Sequence, residues 1–207
     1  MSIVAGSVPK GRSGSESTAV AFAATGAGDG VQAFGRGAAI ASAAAPKFKK
    51  LSLEMGGKNP AIVFNDFDCS DANLDTIVRS GFANQGEICL CGSRLLVQRS
   101  VYEDFRECYL DRVRNLHVGD PEHADSDLGA LVSKAHKDKV MSCIEQARTE
   151  GGRVLCGGES IRIEGRCADG WFVAPTVIEG LPNSALTNQQ EIFGPVVSLI
   201  PFENEEE

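Results

Sequence analysis

Apolar residues alternate along the chain between short continuous runs and spacings of three and four positions. Short runs bounded by Gly, Pro, Asn or Asp predict buried strands, whereas the wider spacings predict helices with one apolar face. The predicted strands lie near Ile3 and at 19–23, 51–54, 61–64, 95–97, 153–156, 171–178 and 196–202. The predicted helices lie at 31–44, at 71–83, over the stretch containing Tyr102, Phe105, Tyr109, Val113 and Leu116, and after Ser133. Strands alternating with amphipathic helices predict an α/β fold with a largely parallel sheet.

The helix that follows Ser133 has the clearest sequence signals. The Ser133 hydroxyl is expected to cap its first turn, and a Gly-Gly pair to end it. Val140, Ile144 and Ala147 fall on one face of this helix and are predicted to be buried. His136 lies in the first turn, where we predict an exposed side chain.

Length and charge narrow the class of protein. With 207 residues, of which 43% are hydrophobic, the chain is globular and its size suits one domain, or one domain and part of a second. The net charge of −8 argues against a nucleic-acid partner, because binding to phosphates requires clustered Lys and Arg. No apolar run in the sequence approaches the roughly 20 residues that cross a bilayer. We therefore expect neither a nucleic-acid partner nor a membrane partner.

The seven cysteines do not suit a secreted disulfide framework, because their number is odd and their spacing is wide. We expect a reducing, cytoplasmic setting. Cys89 and Cys91 form a close pair, but a single Cys-x-Cys is a poor zinc site without a second pair of ligands. The three histidines, His117, His123 and His136, have no ligand-like neighbours in the sequence. No metal site is predicted.

A cysteine directly after a polar turn is the first candidate for chemistry. Asn84, Gln85 and Gly86 separate a predicted helix from a predicted strand, and Cys89 follows this turn. Turns between regular elements often present reactive side chains, and a thiolate attacks carbonyl carbon well. The alternative is a packed, unreactive cysteine, which on composition alone is the more common case.

A carboxylate before two glycines is the second candidate. Glu54 ends an apolar strand directly ahead of Met55, Gly56 and Gly57. Partial burial at such a strand end would raise the pKa of the carboxyl group and suit a general base. The alternative is an ion pair with a nearby lysine, Lys49 or Lys58, at the end of the strand.

The third candidate is the segment Gln-Glu-Ile-Phe-Gly-Pro, which precedes the last predicted strand. The Glu191 carboxylate could accept hydrogen bonds from sugar hydroxyls, and the Phe193 ring could pack against a flat ring. Taken alone, a surface turn is the alternative interpretation of this segment.

In sequence and in order, these segments resemble the aldehyde dehydrogenase superfamily: Leu-Glu-x-Gly-Gly-Lys, then Asn-Gln-Gly-x-x-Cys, then Glu-Ile-Phe-Gly-Pro. The resemblance runs almost continuously from Lys49 to Phe202. The Glu-Ile-Cys-Leu-Cys stretch is most similar to the branch of aminomuconic and hydroxymuconic semialdehyde dehydrogenases. The resemblance implies an aldehyde dehydrogenase-like α/β fold, in which the end of a Rossmann-type cofactor domain precedes part of an α/β catalytic domain.

The resemblance also implies a role for each candidate. Cys89, rather than Cys91, would be the nucleophile that forms a thiohemiacetal and then a thioester with an aldehyde. Glu54 would be the general base that activates water to release the acid. Glu191 would hold the nicotinamide ribose, and Phe193 would lie beside the nicotinamide.

Further cofactor contacts are implied at Gly56 and, in a Gly-rich turn, at Gly26. Ala27 stands where the family has a serine that meets the cofactor pyrophosphate, so this turn departs from the family pattern. NAD is the expected cofactor, with NADP left open. The expected partners are a small-molecule aldehyde and, in the full-length form, further copies of the same chain.

We predict that residues 1–55 are the diverged, trailing part of the cofactor domain, and that 56–207 are the leading part of the catalytic domain. Family chains are much longer, so we expect a central fragment that is inactive and poorly folded on its own. Two alternatives remain open. One is an inactive truncated isoform that binds full-length subunits. The other is a thiol esterase that uses Cys89 and Glu54 without a cofactor.

Overall fold

The computed structural model describes residues 19–22 and 30–207. It divides the chain into two compact units, with the boundary between Gly57 and Lys58. The predicted strand near Ile3 and the predicted cofactor contact Gly26 lie outside the described residues. Within residues 19–22 and 30–207, no helix is long and apolar enough to cross a membrane.

In the first unit, strand β1 (Ala19–Phe22) pairs in parallel with β2 (Leu51–Glu54), and helix α1 (Gly30–Ala44) lies between them in the chain. A 3-10 turn at Ala45–Lys47 follows α1, with Pro46 in its first turn. The predicted strands at 19–23 and 51–54 and the predicted helix at 31–44 are therefore confirmed.

The second unit contains a five-stranded sheet, a two-stranded sheet and four helices in the described residues. In chain order these elements are β3 (Pro60–Val63), α2 (Asp71–Phe82), β4 (Arg94–Gln98), α3 (Tyr102–Arg114), α4 (Lys134–Thr149), β5 (Arg153–Cys156), β6 (Ser160–Ile161), β7 (Phe172–Val173), β8 (Thr176–Glu179), α5 (Leu186–Gln189) and β9 (Val196–Phe202). The large sheet has the order β3-β4-β9-β8-β5, and its neighbours run in parallel except β5, which is antiparallel to β8. The prediction of a largely parallel α/β sheet is confirmed.

Helices cover both faces of this sheet, as the residues of β9 show. Val196 belongs to an apolar cluster with Ile144 of α4, whereas Val197 belongs to a second cluster with Phe82 of α2 and Phe105 of α3. Because successive side chains of a strand point to opposite faces, the two clusters lie on opposite sides of the sheet. This burial on both faces explains why the parallel strands are continuous apolar runs in the sequence.

The predicted single strand at 171–178 is wrong in its extent. The structure has two strands there, β7 and β8, separated by Ala174 and Pro175. Proline has no backbone N–H and cannot continue a ladder of hydrogen bonds, so the chain changes partner at this point. β7 pairs antiparallel with the short strand β6, and β8 joins the large sheet.

The helix after Ser133 confirms most of its prediction and corrects one part. The Ser133 side chain accepts a hydrogen bond of 3.2 Å from the backbone N–H of His136. Val140, Ile144 and Ala147 are fully buried. The prediction that His136 is exposed is wrong, because its side chain is only 8% exposed. The His136 ring is covered by a loop that is distant in the sequence and contains Phe193, and helical periodicity does not reveal such a contact.

Truncating the buried face of α4 tests this packing. We expect Ile144→Ala to lower the free energy of unfolding by ~2–5 kcal/mol, because it leaves a cavity at a fully buried position. Ser142→Ala, at an exposed position of the same helix, is the matched control and should change it by less than ~0.5 kcal/mol. Urea denaturation followed by circular dichroism measures both, and equal effects would contradict the assigned core.

Candidate active site

Asn59 and two segments that the sequence analysis singled out lie at the amino ends of adjacent parallel strands. Asn59 directly precedes β3, the stretch containing Cys89 precedes β4, and Gly194 and Pro195 precede β9. Because β3, β4 and β9 are consecutive neighbours in the sheet and run in parallel, their amino ends share one edge. The candidate site is therefore built at that edge.

The turn before Cys89 has an unusual backbone. Asn84, Gln85 and Gly86 all have positive φ angles, of 51°, 57° and 72°. For residues other than glycine this conformation costs roughly 1–2 kcal/mol each. The Gln85 amide offsets part of this cost, since its Oε1 accepts from the N–H of Gly129 at 3.1 Å and its Nε2 donates to the carbonyl of Ala130 at 3.3 Å.

The side chain of Asn59 binds the backbone of the segment that contains Cys89 and Cys91. Its Nδ2 donates to the carbonyl oxygen of Cys89 at 2.6 Å and reaches that of Cys91 at 3.4 Å. The N–H of Cys91 also donates to the carbonyl of Ile88 at 3.1 Å and closes a tight turn. The backbone around Cys89 is thus fixed by hydrogen bonds from a side chain and from the turn itself.

The two cysteines of this segment differ in accessibility. Cys89 is partly exposed, whereas Cys91 is buried, with 8% of its surface exposed. Burial raises the pKa of the Cys91 thiol and so disfavours its thiolate. Of the pair, Cys89 is the more exposed residue.

The loop that contains Glu191 and Phe193 packs directly against the cysteine turn. A Cβ atom added to Gly86 would lie 2.2 Å from the carbonyl oxygen of Gly194, far inside van der Waals contact. A Cβ added to Gly194 would in turn lie 2.6 Å from a methyl group of Val140 on α4. Glycine at both positions is what allows the two loops and the helix to approach so closely.

Two lysines lie near the Glu191 end of this loop. The ammonium of Lys139 donates to the Glu191 carbonyl at 3.1 Å. The Nζ of Lys58 is buried, and the described residues offer it no hydrogen-bond partner. Burial, with a contribution from the charge of Arg94, lowers the pKa of Lys58 to about 8, while the charges of Cys143 and Glu191 oppose this shift. The site therefore contains a buried amine with free donors in the field of a carboxylate.

Comparison with known proteins identifies the family to which this fold belongs. Residues 30–207 match the sequence model described as "Aldehyde dehydrogenase family". The chain belongs to this family.

Among its relatives is the 2-aminomuconic semialdehyde dehydrogenase of Bos taurus, which is 47% identical over 170 residues, or 81% of this chain and 35% of the relative. The 4-trimethylaminobutyraldehyde dehydrogenase A of Danio rerio is 40% identical over 83% of this chain and 34% of the relative. The chain thus spans about a third of the length of the relatives it matches.

Solved structures of aldehyde dehydrogenases share its fold. The betaine aldehyde dehydrogenase of Staphylococcus aureus, crystallised in complex with NAD+, superposes with a TM-score of 0.74 at 36% identity, over 84% of this chain and 34% of that one. An NAD-dependent aldehyde dehydrogenase of Sinorhizobium meliloti gives a TM-score of 0.76 at 39% identity, over 82% of this chain and 33% of that one. The predicted aldehyde dehydrogenase-like fold is confirmed.

The structure brings together some of the predicted site residues of this family member. Cys89, Glu191 and Phe193 lie in the second unit, on the two loops that meet at Gly86. Glu54 is the last residue of β2 in the first unit. Gly56, two residues after Glu54, is exposed. The roles assigned to these residues stay predictions.

Sequence reasoning missed the residues that hold the site together, above all Asn59 and His136. Asn59 follows the recognised Leu-Glu-x-Gly-Gly-Lys motif directly, so its position was the available signal. The part of the chain that the structure describes contains no cluster of three or more His, Cys, Asp or Glu side chains able to hold a metal ion.

The close approach at Gly86 generates a prediction about stability. We expect Gly86→Ala to lower the free energy of unfolding by at least ~1 kcal/mol more than Gly151→Ala, because only the first places a methyl group against backbone. Gly151 is the matched control, since it also has a positive φ, of 92°, but its Cβ would meet nothing within 4 Å. Urea denaturation of both variants measures the difference, and equal losses would show that φ alone matters.

The buried Lys58 generates a prediction about pH. Because its pKa falls from 10.5 to about 8 on folding, the unfolded chain binds more protons between these values, and the stability of the wild type rises with pH in that window. We expect Lys58→Met to raise the free energy of unfolding at pH 7 by ~1–3 kcal/mol, and this gain to shrink as the pH approaches 10.5. Denaturation at a series of pH values measures it, with Lys50→Met, at an exposed position, as control. A gain independent of pH would contradict the assignment.

Proposed function

We propose that the polypeptide carrying this sequence oxidises an aldehyde to a carboxylic acid with NAD as the hydride acceptor. Cys89 acts as the nucleophile and Glu54 as the general base. The observation that carries the proposal is the partly exposed Cys89 thiol on a fixed turn, packed against the loop of Glu191 and Phe193 in a member of the aldehyde dehydrogenase family.

The proposed chemistry runs through a covalent bond to sulfur. The Cys89 thiolate adds to the carbonyl carbon of the aldehyde and gives a thiohemiacetal, whose oxyanion the Cys89 backbone N–H helps to stabilise. Loss of hydride from that carbon leaves a thioester. Glu54 then removes a proton from water, which attacks the thioester, and the acid leaves as the Cys89 sulfur departs. In these reaction steps Asn59 fixes the backbone that carries the Cys89 thiol.

The residues of the loop fit a nicotinamide cofactor, which when bound accepts the hydride. The buried Nζ of Lys58 has donors that the described residues leave unused, and the Glu191 carboxylate is an acceptor in the same region. Donors and an acceptor at one location suit the hydroxyl groups of a ribose. Phe193, on the same loop, offers a ring face to a flat heterocycle. The NAD+ in the betaine aldehyde dehydrogenase complex supports this choice over NADP.

The names of the relatives support a substrate class. Four relatives named 2-aminomuconic semialdehyde dehydrogenase match this chain at 45–47% identity. We propose a semialdehyde, an aldehyde that also carries a carboxylate, as the substrate. Residues 1–55 would contribute to the cofactor domain and 56–207 to the catalytic domain, and the complete enzyme would assemble as a homo-oligomer.

One observation favours a second candidate function. In the sheet of the second unit β3 is an edge strand, and its Ile62 side chain is 51% exposed. An exposed apolar edge can pair with another chain. The second candidate is therefore an inactive polypeptide that binds longer aldehyde dehydrogenase subunits.

The intact mass of the native polypeptide, followed by an assay of NADH formation with a semialdehyde, separates the two candidates. A mass well above 21.9 kDa together with NADH formation supports the dehydrogenase. A mass near 21.9 kDa, without NADH formation but with a longer dehydrogenase in the purified complex, supports the second. Hydrolysis of an ester without NAD, and without any NADH formation, would favour a thiol esterase and contradict the first.

The two neighbouring cysteines provide the test of the nucleophile. We expect Cys89→Ser in the native-length polypeptide to lower kcat for NADH formation by at least ~1,000-fold, because an alcohol at that position is a far poorer nucleophile. Cys91→Ser is the matched control and should retain kcat within roughly tenfold, because its buried thiol does not reach substrate. The opposite pattern, with activity lost only in the Cys91 variant, would assign the nucleophile to Cys91.

A further inference from the structure

His136 lies between the two loops of the candidate site. Its Nε2 is 2.5 Å from the carbonyl oxygen of Phe193 and 3.4 Å from Oε1 of Glu87. The side chains of His136 and Glu87 are 8% and 10% exposed, so solvent competes little for either contact. Glu87 stands two residues before Cys89, whereas Phe193 stands two residues after the predicted cofactor contact Glu191.

The partners determine which ring nitrogen of His136 bears a hydrogen. A carbonyl oxygen only accepts hydrogen bonds, so Nε2 is protonated and donates to the Phe193 carbonyl. The Glu87 Oε1 is a second acceptor near this nitrogen, and it accepts a hydrogen bond from the N–H of Val132 at 3.3 Å. The Nε2 of His136 therefore lies close to an acceptor on each of the two loops.

The backbone and the ring of His136 are each held by a further contact. The backbone N–H of His136 donates to the Ser133 side chain in the first turn of α4. The His136 and Phe193 rings meet edge to face, with centroids 6.1 Å apart and planes at 70°. Phe193 has a positive φ of 60°, a conformation that a non-glycine residue keeps only when its surroundings hold it.

We propose that His136 is a positioning residue that keeps the Phe193 loop in register with the Cys89 turn. The inference deepens the proposed dehydrogenase function and rests on it. His136 touches neither the reacting thiol nor the aldehyde in this scheme. By donating to the Phe193 carbonyl while facing Glu87, it fixes the loop that receives the nicotinamide relative to the turn that carries the nucleophile.

A purely structural histidine would make the same contacts in order to fill space. The two roles differ in what a replacement must supply. A glutamine places an N–H donor near the position of Nε2, whereas a leucine fills similar volume without a donor. If His136 acts through its hydrogen bond, His136→Gln restores function and His136→Leu does not.

The test compares these variants in the native-length polypeptide, with His123→Leu, at an exposed histidine, as control. For His136→Leu we expect the KM for NAD to rise by about tenfold to 100-fold, because small displacements of a binding loop carry large costs. The kcat at saturating NAD should change by less than about fivefold, since the thiol and the general base are intact. His136→Gln and His123→Leu should both lie within about threefold of the wild type in KM.

A second readout does not depend on turnover. The rate at which iodoacetamide alkylates Cys89, measured by peptide mass spectrometry, reports the geometry of the turn in every variant. We expect His136→Leu to change this rate by at least about threefold and His136→Gln to leave it unchanged. Thermal melting of each variant shows whether that variant is folded at the assay temperature.

The outcomes separate the inference from the function on which it rests. A wild type that forms no NADH would overturn the proposed function, and the alkylation rates would still decide the role of His136. Normal KM and alkylation rate in His136→Leu would overturn the positioning role. Equal defects in His136→Leu and His136→Gln would also overturn it, because they would show that the ring serves only to fill space.

Discussion

The arrangement of the site depends on the contact between Gly86 and the Gly194 carbonyl. With no side chain at Gly86, the backbone of the cysteine turn comes within reach of the backbone that leads into β9. Because β4 and β9 are parallel neighbours, the segments before them emerge at the same sheet edge, and this contact brings them together there. Any larger residue at position 86 would push the loops apart and separate the thiol from the loop of Phe193.

Several features of the site oppose the stability of the fold. Asn84, Gln85 and Phe193 have left-handed backbones, and the Nζ of Lys58 is buried without a partner in the described residues. Such features persist when surrounding structure over-determines them, and they concentrate at functional sites. Here the surrounding structure is the sheet with apolar clusters on both faces, together with side-chain hydrogen bonds such as those of Asn59.

The sequence predicted most of the regular elements because their signals are local. Parallel strands buried on both faces must be apolar, and α4 carries both its cap, Ser133, and its buried stripe in the sequence itself. The two errors have different causes. Pro175 divides one apolar run between two sheets, and this signal is in the run itself, whereas His136 is buried by a loop that follows more than fifty residues later. The motifs pointed to Cys89 and Phe193, and Asn59 directly follows a recognised motif, but the contacts of Asn59 and His136 could be found only from coordinates.

The different environments of Cys89 and Cys91 show how the fold distinguishes two similar thiols. Two residues apart, they lie in the same tight turn, which spans residues 88–91, and Asn59 reaches the carbonyls of both. Since this backbone is fixed, the thiol of Cys91 points into the protein, where burial keeps it protonated, and that of Cys89 remains accessible. The greater exposure of Cys89 is therefore a property of the turn, and the contacts that fix the turn, from Gln85 to Asn59, contribute to it.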